Sequence, residues 1–187
     1  MSWDAITAIS TGALAIIAFA ALIYAKKQLD AFHQENQISH LIDLVNQFSA
    51  EPIVTLRKQL ASARLDGSFH LTIKNLDPQK PPYQLHEILN FFEHMGYLLD
   101  GNYITLEGVS TEFHYWIFRL WDDAKPLIDL DRRENPVYYK HLTKMVDRLR
   151  GSEGAKSIPD AELVYFYREE AQISPGRPIM RRPRPVS

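Results

Sequence analysis

The chain has 187 residues, no cysteine, 21 Lys and Arg against 23 Asp and Glu, and 45% apolar positions. That length suits one domain with room for a core, and the lack of cysteine excludes a disulfide framework, thiolate zinc sites, iron–sulfur clusters and a cysteine nucleophile. The net charge of −2 hides a skew, because residues 174–187 carry Arg177, Arg181, Arg182 and Arg184 without an acid, whereas residues 28–173 hold 15 basic and 22 acidic side chains. A body with a net charge of −7 argues against a nucleic-acid binder.

The N-terminus is the most informative stretch. From Ala5 to Ala25 there are 21 residues without a formal charge, and Thr7, Ser10 and Thr11 are the only polar side chains among them. As a helix this spans roughly 31 Å, the hydrocarbon thickness of a bilayer. Eight of these residues are Ile, Leu or Phe, each favouring insertion by about 0.3 to 0.6 kcal/mol. Trp3 and Tyr24 stand where interfacial aromatics belong, and Lys26 and Lys27 close the far end. The pattern predicts a single transmembrane anchor, with the lysines placing the N-terminus outside and the bulk of the chain in the cytoplasm. A cleaved signal peptide fits less well, since Ser2-Trp3-Asp4 is no basic n-region and Ala18-Phe19-Ala20 is a faint cleavage match. An Ala-rich buried helix is the other alternative. Ala5, Ala8, Gly12 and Ala15 recur at 3-4-3 spacing, a small-residue face that lets two membrane helices approach closely.

Beyond the lysines the helical pattern continues. Ile38, Leu41, Ile42, Val45 and Phe48 form a stripe, Leu29 and Phe32 follow another phase, and the polar run 33–37 lies at the change. Unbroken, residues 4–49 would make a rod on the order of 70 Å. Pro52 starts a second helix carrying Ile53, Leu56 and Leu60, which Asp66-Gly67 stops. Residues 68–82 lack helical periodicity. Phe69, Leu71 and Ile73 alternate like a strand, but no second strand is evident, so a crossing loop is expected there.

Leu85, Ile88, Leu89, Phe92, Met95 and Leu99 then build one apolar face, with Gln84, Glu87, Asn90, Glu93 and His94 mainly opposite. Asp100-Gly101-Asn102 ends that helix. Another is expected from about Leu106 to Asp131, turning Val109, Phe113, Trp116, Ile117, Leu120, Ala124 and Leu127 inward, with a kink or boundary at Pro126. Asn135-Pro136 reads as a cap and first turn for a helix through Arg150, buried on Tyr138, Leu142, Met145 and Leu149. Ser157-Ile158-Pro159-Asp160 opens a short helix with Leu163, Phe166 and Tyr167 on one face, and the Pro- and Arg-rich end follows. The expected order is an anchor over 1–27, a juxtamembrane neck over 28–50, a helical bundle over 51–150, a linker and short helix over 151–173 and a basic tail over 174–187. The fold class is all-α.

Motifs for chemistry are scarce. The sequence has no Gly-rich phosphate loop, no Gly-x-Ser-x-Gly elbow and no Glu-x-x-His signature. His86-Glu87 begins like a zinc-protease helix, but Asn90 stands at the second ligand position. His86, Asn90, Glu93 and His94 lie along one side of a helix, where a solvated polar face explains them as well as a cation does. His33 and His40 are seven apart in the neck and invite a similar idea. Phe113, Tyr115, Trp116, Phe118 and Trp121 fall within nine residues, too many for one inward stripe. Phe118 and Trp121 lie off it, so a neighbouring helix or a partner covers them. The four tail arginines suit anionic lipid or a Pro-rich contact with a partner domain, or they are simply solvated.

The run Ile88-Leu89-Asn90-Phe91-Phe92-Glu93, then Gly96, Gly101 and Tyr115-Trp116, together with the N-terminal anchor, resembles the bacterial domain-of-unknown-function family 4760 over about residues 1–150. The resemblance implies a small, membrane-anchored helical protein of the bacterial inner membrane, and it brings no catalytic residues. The expectation is a non-enzymatic, membrane-tethered interaction module without a cofactor, binding a protein partner or a second copy of itself. Phe118 and Trp121 are its candidate partner surface, and nucleic acid is not among its partners. The alternative is a membrane-acting effector or phage-exclusion factor working through oligomerised anchors.

Overall fold

A computed structural model describes residues 3–69, 83–152 and 160–174; the side chains of residues 4–10, 13, 15, 83, 84, 160 and 161 are outside that description. Among the described residues every regular element is an α-helix. They are α1 (Trp3–Phe48), α2 (Ile53–Leu65), α3 (Tyr83–Asp100), α4 (Leu106–Glu134), α5 (Lys140–Arg150) and α6 (Asp160–Ala171). The chain divides into two compact units, Met1–Ser39 and His40–Ser187. The division falls just after the polar run 33–37.

The first unit is helix alone. Leu14, Ile16, Ile17, Phe19, Leu22 and Ile23 are 47–72% exposed. Among the described residues no helix is long and apolar enough to cross a membrane. Part of the expected span 5–25 has side chains outside the description.

The second unit owns the core. α3 packs on α5 and on α2, α2 packs on α6, and α4 packs on α5 and α3. The apolar stripe of α3 is buried throughout, as is that of α4 from Val109 to Leu127. Phe48, Phe91, Phe92, Phe113 and Trp116 pack ring to ring at centroid separations of 5.1–6.3 Å, geometry that adds about 0.5–1.5 kcal/mol per pair beyond area burial.

Four details differ from the sequence reading. The end of α1 buries Leu44 and Phe48 with Leu41 and Val45 against them, leaving Ile38 and Ile42 more than half exposed. The stripe is therefore rotated by part of a turn. α4 runs through Pro126 to Glu134 without a boundary. Pro126 is exposed, so water can take the hydrogen bond that its missing N–H leaves unmade. α5 begins only at Lys140, because Asn135 closes α4 through its N–H to the Asp131 carbonyl and then turns the chain by accepting from Val137 N–H on Oδ1. Tyr139 follows at φ +53°, which resets the phase and buries Tyr139 while leaving Tyr138 about half exposed. Lastly, α6 is part of the bundle rather than an appendage, burying Leu163, Phe166, Tyr167 and Glu170. Of the crossing loop expected over 68–82, Ser68 and Phe69 are helical; its remainder over 70–82, the capping run 157–159 and the tail beyond residue 174 lie outside the described residues.

Candidate functional site

Two polar constructions stand out in the second unit. The first is dry. Arg57 of α2 and Glu170 of α6 are 0% and 1% exposed. Arg57 Nη2 donates to both carboxylate oxygens of Glu170 at 2.8 and 2.6 Å, Nε donates to Oε2 at 3.1 Å, and Nη1 donates to the Phe48 carbonyl at 2.8 Å. The guanidinium lies 4.3 Å from the centroid of the Phe48 ring and 5.5 Å from that of Trp116, within cation–π range. Burial pushes the Arg57 pKa down and the Glu170 pKa up, and the attraction between them opposes both shifts. Every strong group here is matched within the chain, so the pair fastens α6 to α2.

The second is a cavity of about 480 Å³ lined by His86, Asn90 and Glu93 of α3, by Leu130, Asp131 and Glu134 of α4, and by Val137, Tyr138 and Tyr139 of the connection to α5. Its α3 wall is the helical polar face already visible in the sequence; its α4 wall comes from the last two turns of that helix. Tyr139 is placed by the left-handed turn. Its hydroxyl lies 2.9 Å from His86 Nδ1, and Asp131 Oδ2 is 3.6 Å from the same imidazole nitrogen. Burial, then the Asp131 carboxylate, hold the Tyr139 phenol well above its ordinary pKa, so it stays neutral. His86 Nε2 is buried without a partner.

The neighbouring charges on α3 have structural work. The Glu93 carboxylate accepts from the N–H groups of His141 and Leu142 at 3.1 and 2.7 Å. Those are among the first amides of α5, which no side chain of its own start caps, and a negative charge there suits the helix dipole. Gly96, one turn on, lets the backbones meet, since a Cβ at that position would lie 2.6 Å from the His141 carbonyl. Asp100 finishes the seam, reaching His141 Nδ1 at 2.8 Å and Lys144 Nζ at 2.9 Å. Burial raises the Asp100 pKa, but Lys144 and His141 together outweigh it and leave the group below its ordinary value.

The remaining sequence candidates scatter. Trp121 is 6% exposed and belongs to the core, and Phe118 is half-buried against it with its ring 4.8 Å from that of His114. Trp121 is thereby corrected as a partner-surface candidate, because the bundle itself covers the indole; Phe118 stays partly exposed. His94 stacks on Tyr97 rather than joining His86, and His40 meets Tyr103 edge-on. Among the described residues no group of three His, Asp or Glu side chains could hold a metal ion. Trp3, Gly12, Tyr24, Lys26 and Lys27 are exposed, the side chains of Ala5, Ala8 and Ala15 lie outside the description, and so do Arg177, Arg181, Arg182 and Arg184. Sequence reasoning missed Arg57–Glu170 and the α4 wall of the cavity. The signal for the pair was present, since Arg57 and Glu170 each occupy a core phase of their helix.

A family model described as a domain of unknown function, DUF4760, matches residues 8–149. No curated protein and no solved structure matches the chain.

Proposed function

The chain belongs to the DUF4760 family, and we propose that it is a non-enzymatic, membrane-tethered helical module of the bacterial inner membrane, which holds its bundle at the bilayer to bind a protein partner or a second copy of itself. The observation that carries this reading is the exposure of Leu14, Ile16, Ile17, Phe19, Leu22 and Ile23 in the first unit. At 100° per residue these positions surround the helix, so no single protein surface would cover them, whereas lipid would. Covering six such side chains is worth on the order of 10 kcal/mol. Lys26 and Lys27 then set the N-terminus outside and the bundle in the cytoplasm.

The test begins with fractionation of the full-length chain. It is expected to stay with membranes through alkaline carbonate washing, and the Ile16→Lys/Ile17→Lys variant to be released. Release of the unaltered chain as a dispersed protein would reject the tether. Native purification then asks what the tether holds. A defined co-purifying protein supports the partner form. A homo-oligomer dispersed by Gly12→Leu supports self-assembly, since a Cβ at Gly12 meets nothing within 4 Å in its own chain and the substitution acts on a neighbouring helix.

A further inference from the structure

We propose that a second copy of this chain docks along α1 as a parallel two-stranded coil, through a seam that runs out of the membrane and ends at Asn36 and Ser39. This rests on the tether reading above and names the partner that α1 takes. Beyond Ala25 two large apolar side chains, Leu29 and Phe32, are 55% and 59% exposed. They stand past Lys26 and Lys27, about 6 and 10 Å of helix rise beyond the span 5–25. The headgroup layer adds roughly 5–7 Å to each side of the hydrocarbon, so lipid leaves Phe32 uncovered.

The spacing identifies the occupant. Leu22, Ala25, Leu29, Phe32, Asn36 and Ser39 follow one another at alternating intervals of three and four, the 3.5-residue repeat of a left-handed coil. Traced back, the same repeat falls on Ala18, Ala15, Thr11 and Ala8, small residues that let two helices approach closely in lipid. None of these ten positions is charged, whereas Lys26, Lys27, Asp30 and Glu35 all fall between them, and Asp43 at the next position ends the seam. A second copy fits for three reasons. Both helices enter the bilayer in the same direction, so equal positions meet and Phe32 faces its own counterpart, as twofold symmetry requires. Asn36 then meets Asn36, the device that fixes register and strand number in such coils. Across the edges Gln28 opposes His33 and Glu35 opposes His40 of the other copy, so no like charges meet. Counting four contact positions per heptad, residues 8–39 supply about 18 residues a side, near the 20–30 of a stable interface. The seam also accounts for the change of phase at residues 33–37. Before it α1 serves the second copy; after it Leu41, Leu44, Val45 and Phe48 serve the bundle.

The chain holds no cysteine, so single cysteines report contacts without background, and a disulfide forms only where Cβ atoms come within about 4 Å. The experiment oxidises membranes from cells making the full-length chain with one cysteine at a time. Leu29→Cys, Phe32→Cys, Asn36→Cys and Ser39→Cys are expected to join into a product of twice the chain's mass, about fivefold more than Lys27→Cys, Ala31→Cys or Gln34→Cys. None of these seven positions is buried, so the bundle folds in each. Leu29→Asp/Phe32→Asp, added to Ser39→Cys, should cut the cross-linked yield about tenfold, while Asp30→Ala/Gln34→Ala in the same background should leave it within about twofold. Equal yields on and off the seam overturn the proposal, and so does an unchanged yield in Leu29→Asp/Phe32→Asp. A product joined only to a different protein overturns it in favour of a heterologous partner. Absence of product at every seam position, in chains that stay with the membrane through carbonate washing, overturns the seam and leaves the tether standing. Release of the unaltered chain by carbonate rejects the tether, and the parallel seam falls with it.

Discussion

The Arg57–Glu170 pair and the His86–Asp131–Glu134 cavity are both polar constructions within one helical bundle, and they resolve the same problem in opposite ways. Around Arg57 the chain supplies every partner: two carboxylate oxygens, one carbonyl and two aromatic faces. Nothing is left for a ligand to do there, despite burial and shifted pKa values of the kind that often mark functional sites. Around His86 the matching is incomplete: Nδ1 meets the Tyr139 hydroxyl at 2.9 Å, Nε2 is buried without a partner, and about 480 Å³ stays open beside them. Burial alone does not distinguish a fastening from a site. The completeness of the partners within the chain does.

The sharpest way to break this comparison is to remove one partner of the dry pair. Glu170→Ala strands a guanidinium in the core and should destabilise the bundle by about 3–5 kcal/mol, releasing α6 first. The double variant Arg57→Met/Glu170→Leu removes both charges and should recover most of that loss. Denaturant unfolding of the full-length chain measures both. If Glu170→Ala is nearly neutral, the pair is no fastening and its place in the comparison falls. Asp131→Asn, by contrast, should change stability by less than about 1 kcal/mol.

What the sequence made visible follows from how far each feature reaches. The buried faces of α3 and α4 were legible because a 3.6-residue period is written locally in Leu85 to Leu99 and in Val109 to Leu127. The α3 wall of the cavity was legible for the same reason, as the polar face containing His86, Asn90 and Glu93. Its meaning was not, because Glu93 works on amides 48 and 49 residues away and Asp131 comes within 3.6 Å of His86 from another helix, beside the turn that presents Tyr139. That turn also hid the switch from Tyr138 to Tyr139 in the core, since one left-handed residue shifts the helical phase and carries no periodic signature. The Arg57–Glu170 pair, 113 residues apart, shows locally only as a charge in a core phase, once in each helix. The run from Asn90 to Gly96 reads differently with these contacts in place: Asn90 lines the cavity, Phe91 and Phe92 build the aromatic core, and Glu93 and Gly96 hold α5.

A smaller effect sharpens the boundary between the two constructions. Gly96→Ala places a methyl group 2.6 Å from the backbone of His141 and 2.9 Å from the amide of Leu142, where no flexible side chain can yield. A loss of about 1–3 kcal/mol is expected, with amide exchange quickening along α5 and little change in α6. Equal loosening of α5 and α6 would show that the seam and the dry pair open together, and the two regions would then not be separable by mutation.

The smallest effect lies in the acid range and asks which groups set the pH response of the bundle. Half-buried His114 is held below the ordinary histidine value of 6.5 by burial. As pH falls through 6.5 the unfolded chain takes up this proton before the folded chain does, so stability declines from there until the pH has passed the lowered folded value. Asp100 has the opposite chemistry and a lower window: its carboxylate is held below 3.8, so its contribution is complete above 3.8 and is lost on further acidification. His114→Gln should therefore flatten the decline just below 6.5 and leave the lower one in place. Thermal unfolding followed across that range checks it. A decline below 6.5 that persists unchanged in His114→Gln would assign the proton to another group.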